Sequence, residues 1–331
     1  MKLTRYFDAF MENTVNINDS RLRDLEERVK TLYGVLKDDD QIGDIVRVKV
    51  PQGSWAHKTI IKPIDDNEFD ADFLVVMTEQ EDWMPGDYIN NVYAALRRRA
   101  TYKDMTKKKD RCVRVVYAND CHIDIVPFVK LSDGRQVIVN HATDEWEETN
   151  PGGLTSWLKQ QDDIAGRRLR LVIRLLKYLR DHRMHFKRTR SVVLTILLGE
   201  RVDAAKKIFD PAYYGDLPTA FVHLLEDLDD WLQENPILPP LPDPSGAPND
   251  FGHRWDQASY DNLRNKVRQI AENARKALDE PNVAKSRELW QVVFGSDFKE
   301  PPSGNASSAA VAGATAGAVA PPRTAAAARV G

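Results

Sequence analysis

The 331-residue chain contains only two cysteines, Cys112 and Cys121, too few for a disulfide framework or a structural zinc site. No apolar run approaches the ~18 residues that a membrane-spanning helix needs. The first residues, MKLTRYFDAFMENT, also lack the apolar segment of a secretory signal. These absences predict a cytoplasmic protein with reduced cysteines and no membrane partner.

An excess of positive charge is missing as well. The chain has 47 Lys and Arg residues against 50 Asp and Glu residues, which gives a formal net charge of −3. Proteins that bind nucleic acid along a broad surface are usually basic overall. We therefore expect no stable nucleic-acid partner, and any polyanion has to be bound by a local basic patch.

The last stretch, 301–331, has no aromatic residue and no carboxylate side chain, and Arg323 and Arg329 are its only charged side chains. Alanine favours helix, but the interspersed Gly and Pro break it, and no apolar face exists to dock it. The sequence predicts a disordered Ala/Gly/Pro-rich tail at 301–331 and a folded body before it.

Hydrophobic spacing divides that body into two parts, which predicts an α+β fold. We expect a core with N-terminal helices and strands at 1–160, a helical lobe at 161–300, and an active site in the cleft between them. Helical patterns cover 1–40, 163–182, 191–202, 217–234, 256–279 and 283–294, a helix begins near 53, and strand patterns cover 45–51, 69–77 and 113–129.

A pair of aspartates, Asp70 and Asp72, interrupts an otherwise apolar predicted strand. Residues i and i+2 of a strand point to the same face, so the two carboxylates lie side by side and repel each other. A divalent cation between them would relieve that repulsion, and hard oxygen ligands suit Mg²⁺. The alternative is a solvated strand face, since D-x-D is a short and common pattern.

A third carboxylate, Asp124, lies within HIDIVPF and is again flanked by apolar residues. If its strand neighbours the Asp70 strand, three carboxylates meet on one sheet. That set fits a two-metal site for phosphoryl transfer, in which one ion activates a hydroxyl and the other binds the triphosphate and its leaving pyrophosphate.

The dipeptide Gly53-Ser54 follows Gln52, at the end of a predicted strand and the start of a helix. Glycine lets the backbone approach a phosphate closely, serine adds a hydroxyl, and free N–H groups at the helix start face the anion. Gly-Ser alone is more often a plain turn. Its position directly ahead of the paired acids favours a phosphate-binding turn.

Positive charge for a triphosphate can come from the helix around 167–183, where Arg170, Arg174 and Lys177 share one face. Lys177 is the preferred phosphate ligand, although charge runs of this kind are usually solvated. Ser191, at the start of the next helix, can add a hydroxyl to the same phosphates or act as a helix N-cap.

Together QGSWAHKT, Asp-Ala-Asp at 70–72, HIDIVP, RLLKYLR and Ser191 resemble the DNA polymerase β-like nucleotidyltransferases. More narrowly, the chain resembles the bacterial cGAS/DncV-like nucleotidyltransferases of CBASS anti-phage systems. The resemblance covers most of residues 1–300 and implies a nucleotidyltransferase lobe with a mixed sheet, followed by a helical lobe.

The resemblance implies a bacterial, Mg²⁺-dependent and template-independent nucleotidyltransferase that makes a cyclic di- or trinucleotide second messenger and releases pyrophosphate. Asp70, Asp72 and Asp124 would bind two Mg²⁺ ions, with Mn²⁺ as a substitute, and catalyse the transfer. The donor nucleotide, ATP or GTP, would be held by Gln52, Gly53, Ser54, Lys177 and Ser191. A downstream effector would bind the product.

The sequence departs from the family in one loop. Members often have a small residue and Gly before the motif threonine, whereas His57 and Lys58 precede Thr59 here. This departure affects the expected loop shape and leaves the expected metal site unchanged.

Two other functions fit the same motifs. One is a polymerase β-like transferase that adds nucleotides to RNA or protein, which the near-neutral charge disfavours for RNA. The other is an inactive nucleotide-binding scaffold, which has no need of three clustered carboxylates.

The terminal Gly331 adds a further expectation about partners. A flexible segment that ends in glycine has the form that an E1-like conjugating enzyme adenylates, and several CBASS operons encode such a partner. The alternative is a linker without a function of its own.

Overall fold

The computed structural model describes residues 1–64, 68–118 and 120–301. A π-helical turn, Met11–Val15, follows the first helix, and a 3₁₀ turn, Phe251–Arg254, precedes the tenth. The strands are β1 (Val46–Gln52), β2 (Phe69–Met77), β3 (Thr106–Lys108), β4 (Val113–Tyr117), β5 (Cys121–Lys130), β6 (Gln136–Asn140) and β7 (Glu145–Glu148). The helices are α1 (Thr4–Phe10), α2 (Asp19–Lys37), α3 (Gly53–Ala56), α4 (Pro85–Arg98), α5 (Pro151–Ile164), α6 (Leu169–His182), α7 (Ser191–Gly199), α8 (Ala204–Phe209), α9 (Leu217–Glu234), α10 (Gln257–Asp279) and α11 (Val283–Phe294).

Seven strands of the described chain form one mixed sheet. Its main path runs β1-β2-β5-β4-β3, and β6 pairs with the far end of β5 and with β7. The pairing of β2 with β5 is parallel, and the other pairings are antiparallel. The two strands that carry the aspartates are therefore neighbours at the centre of the sheet.

Alternation along β2 separates an apolar face from a polar one. Phe69, Ala71, Phe73 and Val75 are buried in a cluster with α2 and α4 on one side of the sheet. Asp70 and Asp72 point to the opposite side, because successive side chains of a strand alternate between faces. Burial of the apolar face thus fixes the direction in which the carboxylates point.

A second hydrophobic cluster contains side chains from α5, α6, α7, α9, α10 and α11, together with α1. Phe7 of α1 is fully buried against aromatic rings near the end of the body: its ring centroid lies 4.8 Å from that of Trp290, 5.6 Å from Phe294 and 5.1 Å from Phe298. The first helix is therefore held by the last helix and the residues after it.

The structure matches most of the predicted elements within a few residues. The strand predicted at 69–77 and the helices at 217–234 and 283–294 have the predicted bounds. The helix expected at 163–182 is wrong in one respect, because Gly166 and Arg167 have φ values of +58° and +63° and end α5 before α6 begins. The helix near 53 is a single turn, and α4, nearly all of α5, α8, β3, β6 and β7 were not predicted.

Some predictions concern residues that the structure does not describe, and one concerns a domain boundary that its contacts do not test. The tail at 302–331 and Asn119 of the predicted β4–β5 turn lie outside the described residues, and the domain boundary near 160 stays a prediction. Both cysteines are buried free thiols, as expected. In the part of the chain that is described, no helix combines the length and apolarity needed to cross a membrane.

Replacing Phe7 with alanine tests the contact between the two ends of the body. Because the ring is fully buried, we expect Phe7→Ala to lower the free energy of unfolding by about 3–5 kcal/mol in guanidinium denaturation. Phe209, which is 88% exposed, is the matched control. Phe209→Ala should change the free energy of unfolding by less than about 0.5 kcal/mol. Equal effects of the two substitutions would contradict this packing.

Candidate active site

Parallel pairing of β2 and β5 brings the predicted acids together on one face. Asp72 lies directly opposite Asp124, and Asp70 lies opposite His122. Asp124 is only 8% exposed, whereas the Asp70 side chain is 65% exposed. The set therefore extends from the interior of the sheet to solvent, at a place where a ligand can reach it.

The three carboxylates repel one another strongly enough to alter protonation. Burial, and then the charges of Asp124 and Asp70, raise the pKa of Asp72 from its usual 3.8 to about 7. Arg114 and Lys177 act in the opposite direction without cancelling the shift. The site accordingly favours additional positive charge.

Part of that positive charge comes from Arg114 of β4, which lies opposite Asp124 across the strand pair. Its Nε donates to Asp124 Oδ1 at 2.7 Å, and its Nη2 donates to Oδ2 at 2.7 Å. The same Nη2 lies 3.6 Å from Asp70 Oδ1. These bonds to Asp124 hold the pKa of Arg114 above its ordinary value, so its guanidinium stays charged.

The three carboxylates are chemically suited to bind a divalent cation. Carboxylate oxygens are the ligands that Mg²⁺ prefers, and a cation would offset both the burial and the neighbouring negative charges that raise the pKa of Asp72. Asp124, however, is bonded to Arg114 through both oxygens. Among residues 1–64, 68–118 and 120–301, no three His, Cys, Asp or Glu side chains are grouped closely enough to hold a metal ion.

The Gln52-Gly53-Ser54 turn lies against this face. Gln52 ends β1 opposite Asp72, and α3 begins at Gly53. Gly53 has φ +58°, and a Cβ there would lie 2.7 Å from Asp72 Oδ2. Glycine is thus required twice, for its left-handed backbone and for the close approach of the Asp72 carboxylate.

Lys177 links the helical part of the chain to this turn. Its Nζ donates to Ser54 Oγ at 2.9 Å and to the Thr59 carbonyl at 2.7 Å, and the residue is 5% exposed. Burial and then the charge of Arg180 lower the pKa of Lys177 to about 7. A buried ammonium beside a phosphate-binding turn is suited to an anionic ligand.

The other basic residues of α6 bind elsewhere. Arg174 donates to Asn16 Oδ1 at 2.6 Å, and Arg170 is paired with Asp162 at 3.4 Å. Ser191 is the first residue of α7 after its N-cap Arg190, so it is not the N-cap itself. Its Oγ accepts a hydrogen bond from Arg180 Nη1 at 2.9 Å.

Arg114, Arg180 and His122 were not among the predicted site residues. His122 lies 3.2 Å from Asp70 through Nδ1 and 2.6 Å from Glu68 through Nε2. Arg180 lies three residues after Lys177, a spacing that places both on one side of a helix. Arg114 is placed beside Asp124 by the register of the β4–β5 hairpin, which the structure supplies and the sequence pattern does not.

The loop in which the chain departs from the family pattern has an unusual backbone. Lys58 has φ +56°, in the region that glycine adopts without strain. Its neighbour His57 is buried, and burial together with the charges of Arg170 and Lys177 lowers the pKa of His57 to about 4. His57 is therefore neutral at pH 7.

Burial of Lys177 should make the folded protein less stable as the pH falls towards 7, because the lysine gains a proton in the unfolded chain before it does so in the folded one. Its folded pKa of about 7 lies below the usual 10.5, so the unfolded chain binds this proton more tightly as the pH falls from about 10.5 to 7. We expect the unfolding free energy of Lys177→Met relative to wild type to rise by about 3 kcal/mol between pH 9.5 and 7.

Urea denaturation at several pH values measures this difference. Lys159→Met, at a lysine whose side chain is 69% exposed, is the control and should show no such trend. A pH-independent difference between Lys177→Met and wild type would contradict the lowered pKa.

Comparison with known proteins agrees with this geometry. Residues 1–162 match the family model described as Second Messenger Oligonucleotide or Dinucleotide Synthetase domain. A cyclic AMP-AMP-AMP synthase from an Acinetobacter species is 25% identical over 285 residues, which cover 84% of this chain and 80% of that protein. A c-di-GMP synthase from Roseivirga ehrenbergii is 30% identical over 170 residues, or 48% of this chain and 43% of that protein.

The fold is shared with solved structures. The Vibrio cholerae DncV cyclic AMP-GMP synthase, in complex with nonhydrolyzable GTP, matches with a TM-score of 0.70 at 14% identity over 90% of this chain and 96% of that one. Nucleotidyltransferases of this fold depend on a divalent metal. Residues 1–162 are thus a Second Messenger Oligonucleotide or Dinucleotide Synthetase domain, which is a nucleotidyltransferase domain, and most of the chain is similar to a cyclic-nucleotide synthase.

Proposed function

We propose that the protein joins nucleoside triphosphates, without a template, into a cyclic di- or trinucleotide second messenger. The observation that carries the proposal is the pairing of Asp72 with Asp124 on a sheet face next to the Ser54–Lys177 contact. Carboxylates for the reacting phosphate and a buried cation for the triphosphate are the two parts that nucleotidyl transfer needs.

The reaction balances with these groups. A ribose hydroxyl of one nucleotide attacks the α-phosphorus of the next, a new P–O bond forms, and the bond to pyrophosphate breaks. Asp124 is the carboxylate proposed to help activate the hydroxyl and to receive its proton, because it lies opposite Asp72 on the same face of the sheet. Repeating the step within the linear product closes the ring and releases another pyrophosphate.

Lys177 and the turn at 52–54 are proposed to bind the triphosphate of the donor nucleotide. Lys177 can exchange its bonds to Ser54 and Thr59 for phosphate oxygens, and its pKa rises when it gains an anionic partner. Gly53 leaves room for close approach of the backbone. Ser191 and Gln52 are proposed to complete the same subsite.

Asp70, Asp72 and Asp124 would hold the divalent metal, which we propose to be two Mg²⁺ ions with Mn²⁺ as a substitute. When bound, these ions lower the pKa of the attacking hydroxyl and offset the charge of the phosphates. Asp72 would contribute its carboxylate to the metal from the position opposite Asp124.

ATP, GTP or both are the proposed substrates, and the product is proposed to activate a downstream effector in CBASS anti-phage defence, in the bacterial cytoplasm. The names of the Acinetobacter, Roseivirga and Vibrio proteins support purine nucleotides as the class. The E1-like partner stays a prediction from the sequence, since Gly331 lies outside the described residues.

Removing two carboxylates tests the site. We expect Asp70→Ala plus Asp72→Ala to lower product formation by about a thousand-fold or more, because several kcal/mol of metal-derived charge stabilisation are lost. The measurement is mass spectrometry of products from mixed NTPs and Mg²⁺, which also identifies bases and ring size. A parallel reaction with tRNA or a candidate acceptor protein tests transfer to a macromolecule.

A matched control removes two carboxylates elsewhere. Asp133 and Asp163 have side chains that are 50% and 48% exposed and are paired with Arg135 and Lys159. The double variant Asp133→Ala plus Asp163→Ala should keep wild-type product formation. Labelled RNA or protein in place of a cyclic nucleotide would refute the proposal.

Gly53 supplies a test of how closely Asp72 has to be positioned. An alanine Cβ at 53 would lie 2.7 Å from Asp72 Oδ2 and push that carboxylate away. We expect Gly53→Ala to reduce the rate of pyrophosphate release by about a hundred-fold, the usual consequence of a displacement of ~1 Å at reacting groups.

Gly134 provides the control for this substitution. It also has a positive φ, +91°, but nothing lies within 4 Å of a Cβ there. Gly134→Ala therefore carries a similar backbone strain without the contact, and it should keep the wild-type rate. Similar losses in both variants would show that strain, and not Asp72, is responsible.

A further inference from the structure

The Arg114–Asp124 pair involves both carboxylate oxygens of Asp124. Both carboxylate oxygens accept a hydrogen bond of 2.7 Å from the guanidinium, and Asp124 is 8% exposed. Bidentate pairs of this kind are among the stronger hydrogen-bonded contacts in proteins. A divalent cation that binds an Asp124 oxygen shares that oxygen with the guanidinium, and the repulsion between the two positive charges weakens one or both of these bonds.

Arg114 also interacts with the rest of the carboxylate set. Its Nη2 is 3.6 Å from Asp70 Oδ1, and its Nη1 is 3.5 Å from His122 Nδ1. A single guanidinium thus lies close to two of the three acids that would hold the metal, Asp124 and Asp70.

We propose that Arg114 is a positioning residue that binds Asp124 in the cation-free protein and gives up one or both bonds when a divalent cation enters. The inference rests on the proposed metal site. Since the cation and Arg114 carry charge of the same sign and share an acceptor, each weakens the binding of the other. Arg114 therefore sets the concentration of divalent cation at which the site fills.

A second pair in the same sheet separates this role from ordinary stabilisation. Arg111 binds Glu147 in the same bidentate way, with Nε–Oε2 and Nη2–Oε1 distances of 2.5 Å. The Arg111 side chain is 33% exposed and that of Arg114 is 25% exposed. Removing either arginine deletes one positive charge and two hydrogen bonds, but only Arg114 binds a proposed metal ligand.

The test is binding of Mn²⁺ alone to the full chain, followed by electron paramagnetic resonance of the free ion. We expect Arg114→Gln to bind Mn²⁺ about ten-fold more tightly than wild type, the factor that corresponds to one lost charge-assisted competitor. Arg111→Gln should bind it with wild-type affinity. Unchanged or weaker Mn²⁺ binding by Arg114→Gln overturns the inference.

Two further measurements keep the test decisive. The melting temperature without metal should fall in Arg114→Gln, and its rise on adding Mn²⁺ should exceed that of wild type, which a purely structural arginine would not produce. If Arg114→Gln does not fold, Arg114→Lys takes its place. Lysine retains the positive charge but cannot bind a carboxylate through two parallel hydrogen bonds, so this variant should show an intermediate gain in Mn²⁺ affinity.

The outcomes distinguish the two proposals. Mn²⁺ binding that is equal in wild type and Arg114→Gln, and lost in Asp70→Ala plus Asp72→Ala, overturns the role of Arg114 and leaves the metal site standing. No Mn²⁺ binding by any folded form overturns the metal site and this inference together.

Discussion

Repulsion among the carboxylates of Asp70, Asp72 and Asp124 is the constraint on which the arrangement of the site depends. Three carboxylates on one sheet face would destabilise the fold if no positive charge or solvent compensated them. Arg114 binds one of them, Lys177 lies buried nearby, and Asp70 remains largely exposed. Burial, and then the charges of Asp124 and Asp70, nevertheless keep the pKa of Asp72 raised, so the site favours further positive charge.

The apolar side of the same strands makes this arrangement rigid. Phe69, Ala71 and Phe73 pack against α2 and α4, and a slip of one residue would expose them and bury the acids. Parallel pairing of β2 with β5 then fixes Asp72 opposite Asp124. The geometry of the site is therefore a consequence of core packing at the centre of the sheet, and the helical part contributes the cation of Lys177.

Sequence alone was sufficient for the features that follow from periodicity. Alternation in 69–77 implied that Asp70 and Asp72 share a face, and helical spacing located Lys177. Sequence was insufficient where the pairing register of two strands determines which residues lie opposite each other. A two-residue turn at Asn119-Asp120 would pair Val115 with Asp124, whereas Tyr117 pairs with Cys121, and this register brings Arg114 opposite Asp124 instead. The end of α5 near Gly166 was likewise missed, although glycine is the residue most often found where a helix ends with a positive φ.

Packing of Phe7 against Trp290, Phe294 and Phe298 has a consequence for synthesis of the protein. At ~5–20 residues per second, the ribosome needs roughly 15–60 seconds between the first of these rings and the last. During that interval the Phe7 ring lacks these three native partners. Part of its aromatic contact surface therefore stays unpaired for most of translation, and apolar surface of this kind is what chaperones bind.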